Sequence, residues 1–240
     1  LYSSNLIDFT LDPKVVIGIF FVSKKQRRRM RMILDCRRTN ALFKRPPRTA
    51  LGSVESWGRL DATVENEQQT PQQFFVSQED VKDFFYRLKI QEALSKYFCL
   101  PAVVPSMLFA EMKRRNIVIP PKLLELAASG RPMHPMLTVL PMGFGWAFHL
   151  AHASHEHLGR LHVPDAQYIV DKLPCPRFLP EVSTLLLYAD NANHMSTDRE
   201  VCIDSRRKLS HGCNSIGLET HEVTDGVQKG ETLGVKFDGV

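Results

Sequence analysis

The sequence has no apolar run long enough to cross a bilayer. Its longest, Val15 to Val22 (VVIGIFFV), has eight residues, less than half of the roughly 20 that a spanning helix needs. It reads instead as a buried strand. No charged segment followed by an apolar stretch opens the chain, so no signal peptide is expected, and an intracellular protein of cytoplasm or nucleus is. The five cysteines (Cys36, Cys99, Cys175, Cys202, Cys213) are scattered and form no CxxC pair. That argues against a disulfide framework or a structural zinc site and for a reducing compartment. Internal repeats and low-complexity tracts are also missing. Residue 1 is Leu, and the chain reads as a fragment or a processed piece.

Acid is nearly absent from one stretch. Residues 14–48 hold twelve Lys and Arg against a single acid, Asp35, whereas residues 49–240 hold nineteen bases and twenty-three acids. The formal net charge of +5 hides this asymmetry. A basic block ahead of an acidic body points to a polyanionic partner. With 43% hydrophobic and 24% charged residues, the composition is that of a folded domain and excludes disordered, collagenous and coiled-coil classes.

Along the chain, a strand at 15–22 runs into the basic turn Lys24–Arg29 and a second strand, Met30–Leu34, which together read as a hairpin with a charged tip. Residues 45–73, rich in Pro, Gln, Glu and Thr, read as irregular connection. Phe74–Val76 leads to the acidic segment around Glu79 and Asp80. Ser106 is placed to cap a helix over MLFAEMKRR, Pro120–Pro121 opens another that Gly130 ends, and a third covers 147–158. Thr184–Tyr188 (TLLLY) reads as a buried strand ending on Ala189-Asp190. Thr197–Cys213 reads as a helix and Thr232–Phe237 as a final strand. Helices and strands intermingle, which predicts an α/β or α+β fold around a central sheet.

Three local signals carry chemistry. Lys24 and Arg31 flank the hairpin tip, where a point charge and a bidentate fork suit one shared anion; alone, a basic loop is more often a solvated or nuclear-localisation patch. The second signal is Glu79-Asp80-Val81-Lys82-Asp83-Phe84-Phe85, an acid after a short strand with aromatics five residues on. The third is the strand delivering Asp190 and Asn191 to its tip. Taken singly, each acid has an ordinary alternative as a solvated strand end or loop.

In order, the basic hairpin, D-x-K-D-x-F, Leu140-Pro141-Met142-Gly143-Phe144 and apolar-Tyr-x-Asp together resemble the reverse transcriptase family of retroelements and retroviruses. The likeness runs from about Gly18 to Gly234. RMILDCRRTN (Arg31–Asn40), YFCLP (Tyr97–Pro101) and TLGVKF (Thr232–Phe237) resemble the second fingers strand, the segment after the first acidic motif and the primer-grip hairpin. The resemblance implies a right-hand polymerase fold with fingers and palm, the thumb absent before Val240. It divides residues 1–240 into 1–75, mainly fingers; 76–90, palm; 91–135, fingers or insertion; and 136–240, palm to primer grip. Insertions are expected around 103–135 and 158–182.

The resemblance implies an RNA-directed DNA polymerase that adds dNTPs to a primer 3′-hydroxyl on an RNA or DNA template. Asp80 and Asp190 match the catalytic acids, with the Val81 carbonyl as a further ligand for Mg²⁺ or Mn²⁺. Lys24 and Arg31 match the contacts to the triphosphate, a polyanion whose leaving group gains charge in the transition state. Arg27–Arg29, Arg37 and Arg38 are left for the template backbone. Phe85 matches the aromatic gate against a 2′-hydroxyl, and Met142 and Gly143 match the segment packing on the nascent base pair, where a glycine lets backbone approach closely. RNase H or integrase domains are possible neighbours in a parent polyprotein, and no membrane partner is expected.

Two departures stand out. The family usually has a second Asp after Asp190, where this chain has Asn191, which ligates through an amide oxygen with one charge fewer; related viral RNA polymerases use an Asp-Asn pair. Gly145-Trp146-Ala147-Phe148 also departs from the small, polar and Pro residues common there. The alternatives are a catalytically inactive or domesticated nucleic-acid-binding domain and an RNA-directed RNA polymerase, against which Phe85 argues. His149, His152 and His155 fall at i, i+3 and i+6 on the helix over 147–158, with His157 beside them. A zinc site is set there against a helix facing solvent or template, and the second reading is preferred.

Overall fold

A computed structural model describes residues 1–23, 30–52, 54–60 and 73–239. In chain order the elements are β1 (Ile7–Thr10), β2 (Gly18–Ser23), β3 (Met30–Asp35), α1 (Arg37–Asn40), α2 (Val54–Trp57), β4 (Phe75–Val81), α3 (Phe84–Arg87), α4 (Glu92–Ser95), α5 (Pro105–Arg114) and α6 (Pro121–Ala127). There follow β5 (His134–Leu137), α7 (Ala147–His162), β6 (Gln167–Tyr168), β7 (Thr184–Tyr188), β8 (Asn191–Ser196), α8 (Arg199–Ser215), β9 (Thr220–Val227), β10 (Lys229–Thr232) and β11 (Val235–Asp238). This is the mixed α/β class expected. The basic turn Lys24–Arg29, with Lys24 itself, lies outside the described residues. The chain forms two compact units, Leu1–Pro46 with Phe85–Phe148 and Pro47–Phe84 with His149–Val240.

In the first unit β1 pairs antiparallel with β5, and β2 with β3 as a two-stranded ribbon. Its core gathers Phe9, Met112, Leu123 and Met133. The run Val15–Val22 departs from a buried strand: Ile17 is buried, but Phe20, Phe21 and Val22 on β2 are exposed. An isolated hairpin ribbon has too few strands to close a core around itself. Ser106 does not cap α5 either. Val104 is the N-cap and Pro105 takes the first turn, because proline lacks the N–H that a cap would satisfy and has its φ preset for a helix. Pro120 and Pro121 repeat the arrangement at α6.

The second unit is a five-stranded sheet in the order β6-β7-β8-β4-β9, antiparallel except for β6 against β7. Strand periodicity sorts β4 into two faces. Ser77 and Glu79 face α8, where Ser77 Oγ lies 3.2 Å from Cys202 Sγ and Glu79 Oε2 lies 3.8 Å from the Arg206 guanidinium. Val76, Gln78 and Asp80 face the other way. Val76 packs with Met195, Leu186, Trp57 and Phe237 in the core of this unit. Gln78 donates to Asn193 Oδ1 at 3.0 Å, and Thr232 Oγ1 donates to the same oxygen at 2.6 Å. The acidic segment therefore belongs to a strand, with Glu79 buried on the helix side. Thr232–Phe237 is not one strand: Leu233 and Gly234 turn at φ +48° and +78° between β10 and β11, the left-handed pair that a two-residue hairpin loop uses.

Candidate active site at the sheet end

Register brings the site together. Across the end of the sheet Tyr188 pairs with Asn191, Asn191 with Asp80, and Asp80 with His221. Directly opposed residues share a face, so strands β7, β8, β4 and β9 each contribute one side chain to a single rank. Asp190 joins this rank from the β7–β8 turn, where its carbonyl accepts the Val81 N–H at 2.9 Å. Two acids 110 positions apart in sequence thus stand on adjoining strand ends.

The turn carrying Asp190 is held by α7. Ala189 sits at φ +50°, a left-handed conformation that is uncommon for a residue with a Cβ. Its carbonyl accepts from His155 Nδ1 at 2.8 Å, and its N–H donates to His152 Nδ1 at 3.4 Å. His152 Nε2 in turn donates to the Ala50 carbonyl at 3.1 Å. The two rings grip the peptide groups on either side of the Ala189 Cα, each in the tautomer its partner dictates. This corrects the expectation of a solvent- or template-facing histidine row: His152 is 3% and His155 0% exposed. Burial pushes the His155 imidazole down to about 4. No group of three or more His, Cys, Asp or Glu among the described residues is placed to hold a metal.

Asp80 is partly buried and its pKa is raised, first by burial and next by the charge of Asp190, against the opposing hydrogen bond from His221. His221 Nε2 lies 2.9 Å from Asp80 Oδ1. The Asn191 side-chain amide donates to Asp190 Oδ1 at 3.2 Å, something a second aspartate in that place cannot do. Two half-buried carboxylates on adjoining strand ends, one of them raised in proton affinity by the charge of the other, are a donor set suited to a hard divalent cation. Magnesium is typically held by one or two carboxylates, with substrate phosphates and water completing the shell.

The remaining expected residues lie in the first unit. Arg31 is exposed on β3, opposite Val22, with no ion pair among the described residues. Phe84 is core, edge-on to His155 in the second unit, whereas Phe85 is half-buried and opens the second segment of the first unit. Met142 is exposed. Gly143 has φ +114°, and a Cβ there would meet the Leu34 carbonyl at 2.8 Å, so the close backbone approach it permits is to β3. Asn40 fixes the same loop, donating to the Gly143 carbonyl at 2.9 Å and accepting from the Gly145 N–H at 2.8 Å. His221 gave no signal in the sequence. It reaches Asp80 through the register of β9, which shifts twice between Val76 and Asp80.

A mixed sheet backed by two helices, with paired acids at its strand ends, defines the class: the fold is similar to the fingers and palm of reverse transcriptases. The foamy viral protease-reverse transcriptase in complex with double-stranded DNA matches with a TM-score of 0.64 and 15% identity, over 100% of this chain and 32% of that one. The native prototype foamy virus protease-reverse transcriptase matches with a TM-score of 0.58 and 16% identity, over 96% of this chain and 24% of that one. The chain thus spans about a third or less of these proteins. No protein-family model matches the sequence, and no curated protein matches it. Among the described residues, no helix is long and apolar enough to cross a membrane.

Proposed function

We propose that the chain is the fingers and palm of an RNA-directed DNA polymerase from a retroelement, extending a primer 3′-hydroxyl with dNTPs. The observation that carries this reading is the convergence of Asp80 and Asp190 at the sheet end, in a fold similar to the foamy viral enzyme. The Asp80 and Asp190 carboxylates and the Val81 carbonyl would hold Mg²⁺ or Mn²⁺. When bound, such ions lower the pKa of the attacking hydroxyl and steady the leaving phosphates. The His152–His155 grip on Ala189 fixes where Asp190 stands. Asn191 orients the Asp190 carboxylate through its amide, and its own side-chain oxygen would serve as a neutral ligand. Lys24 and Arg31 hold the triphosphate, Met142 and Gly143 flank the base pair, and Phe85 excludes a 2′-hydroxyl.

The test is primer extension on an RNA template with Mg²⁺ or Mn²⁺. Asp80→Ala and Asp190→Ala each remove several kcal/mol of charge stabilisation, so extension falls by about 100-fold or more. Equal extension by wild type and Asp80→Ala ends the proposal. Phe85→Ala is expected to gain rNTP incorporation, read on the same gels. A second reading, an inactive domain that binds nucleic acid, draws on Asn191, whose amide spends a donor on Asp190 where the family has a third carboxylate. Binding that weakens steeply with salt, with no extension under either metal, distinguishes it.

A further inference from the structure

We propose that His221 is a positioning residue for Asp80, holding one carboxylate oxygen so that the other is presented to a divalent cation; this rests on the reading of Asp80 as a metal ligand. A carboxylate only accepts hydrogen bonds, so the 2.9 Å contact fixes the proton on His221 Nε2. The contact occupies Oδ1 alone and leaves Oδ2 without a protein partner among the described residues. A carboxylate attached to a strand by one Cβ rotates freely about its terminal torsion, which has broad wells; a single directional donor removes that freedom.

The strand start that carries His221 is anchored on both flanks. Glu219 accepts the Lys82 N–H through its carbonyl at 2.9 Å and pairs with the Lys82 ammonium at 3.1 Å. Thr220 is tied to α8: its N–H donates to Asn214 Oδ1 at 3.3 Å, the Asn214 amide donates to its Oγ1 at 3.2 Å, and Ser210 Oγ bonds the same hydroxyl. On the far side Glu222 adopts φ +52°, and its carboxylate stands 3.9 Å from His221 Nδ1. The imidazole is thus set between two carboxylates on a fixed piece of backbone, with the bulged register of β4 and β9 aiming it at Asp80.

Partners that hydrogen-bond a metal-ligating carboxylate typically change metal affinity or activity 10- to 100-fold when removed. The experiment titrates Mn²⁺ into the full chain by electron paramagnetic resonance for wild type, Asp80→Ala, His221→Ala and His221→Gln, with thermal unfolding of each. Glutamine keeps a donor near the position of Nε2. The expected result is a roughly 10-fold or greater loss of Mn²⁺ affinity in His221→Ala, with recovery in His221→Gln and an unchanged melting temperature in both. In primer extension the same pair separates in kcat, with the KM for dNTP unmoved. A His221→Ala chain that binds Mn²⁺ like wild type overturns the role while leaving the polymerase reading standing. Equal losses in Ala and Gln with a lowered melting temperature also overturn it, as a purely structural contact. A wild type that binds no more tightly than Asp80→Ala fails the polymerase reading itself, and the role with it.

Discussion

His155 has no solvent exposure and one ring nitrogen bonded to the Ala189 carbonyl. Its other nitrogen, Nε2, has no hydrogen-bond partner among the described residues. Burial depresses its pKa to about 4 from the usual 6.5, so between those values the unfolded chain binds a proton that the folded chain refuses. The contribution is complete above about pH 6.5 and is lost as pH falls toward 4, which amounts to about 3 kcal/mol. Urea unfolding at pH 7 and pH 4.5 checks this, and His155→Phe should flatten that part of the pH dependence. Gly143 offers a second test at this scale. With φ +114° and a backbone carbonyl 2.8 Å from any added Cβ, Gly143→Ala is expected to lose about 1–3 kcal/mol, seen as a lower urea midpoint with an unchanged slope. An unchanged midpoint would mean that the β3–loop approach relaxes at little cost.

Elements in the second unit are joined by polar side chains as well as by apolar ones. Glu79 on β4 is fully buried, with neither oxygen hydrogen-bonded among the described residues, while His194 on β8 and Arg206 on α8 each stand 3.8 Å away. Arg206 is secured by Asp225 on β9 at 2.7 Å, and His194 by Ser205 at 2.8 Å. One charge network therefore spans β4, β8, β9 and α8. Removing one member of a buried pair strands the other, at a cost of about 3–5 kcal/mol. Arg206→Met is expected to lose that much in urea unfolding, and adding Glu79→Gln to regain part of it; strict additivity of the two changes would disprove the coupling. The helices also approach closely. A Cβ on Gly212 of α8 would collide with the His162 ring of α7, so the glycine is what lets that ring seat against α8.

At the scale of the molecule the charge asymmetry sets the expected behaviour toward nucleic acid. The +11 block over residues 14–48 includes Arg31 on β3 and Arg37 and Arg38 on α1, all exposed. Arg37 is engaged by Asp35 at 2.6 Å, while Arg38 makes no ion pair among the described residues. On the proposed reading, affinity for a primer–template falls steeply with salt. Arg38→Ala should reduce the slope of log K against log salt by about 1, measured by fluorescence anisotropy. A slope unchanged in Arg38→Ala would take this residue off the phosphate backbone.

Much of this was legible in the residues themselves. Apolar runs such as Thr184–Tyr188 and helical spacing over 147–158 and 197–213 announce their elements because burial imposes a period on the side chains. The motif order carried the fold class and picked out Asp80 and Asp190. Local sequence has no bearing on register or on which layer covers an element. Phe20 and Phe21 read as core, yet their hairpin ribbon leaves them exposed. The histidines of α7 read as a surface, yet two of them clamp the backbone on both sides of Ala189 from inside. His221 lies 141 residues from Asp80, and only the bulged pairing of β9 with β4 brings the two together. The sequence by itself determined the chemistry on offer, two acids at strand ends and a basic block. The tertiary structure decided which groups hold those acids in place, because those contacts join residues far apart along the chain.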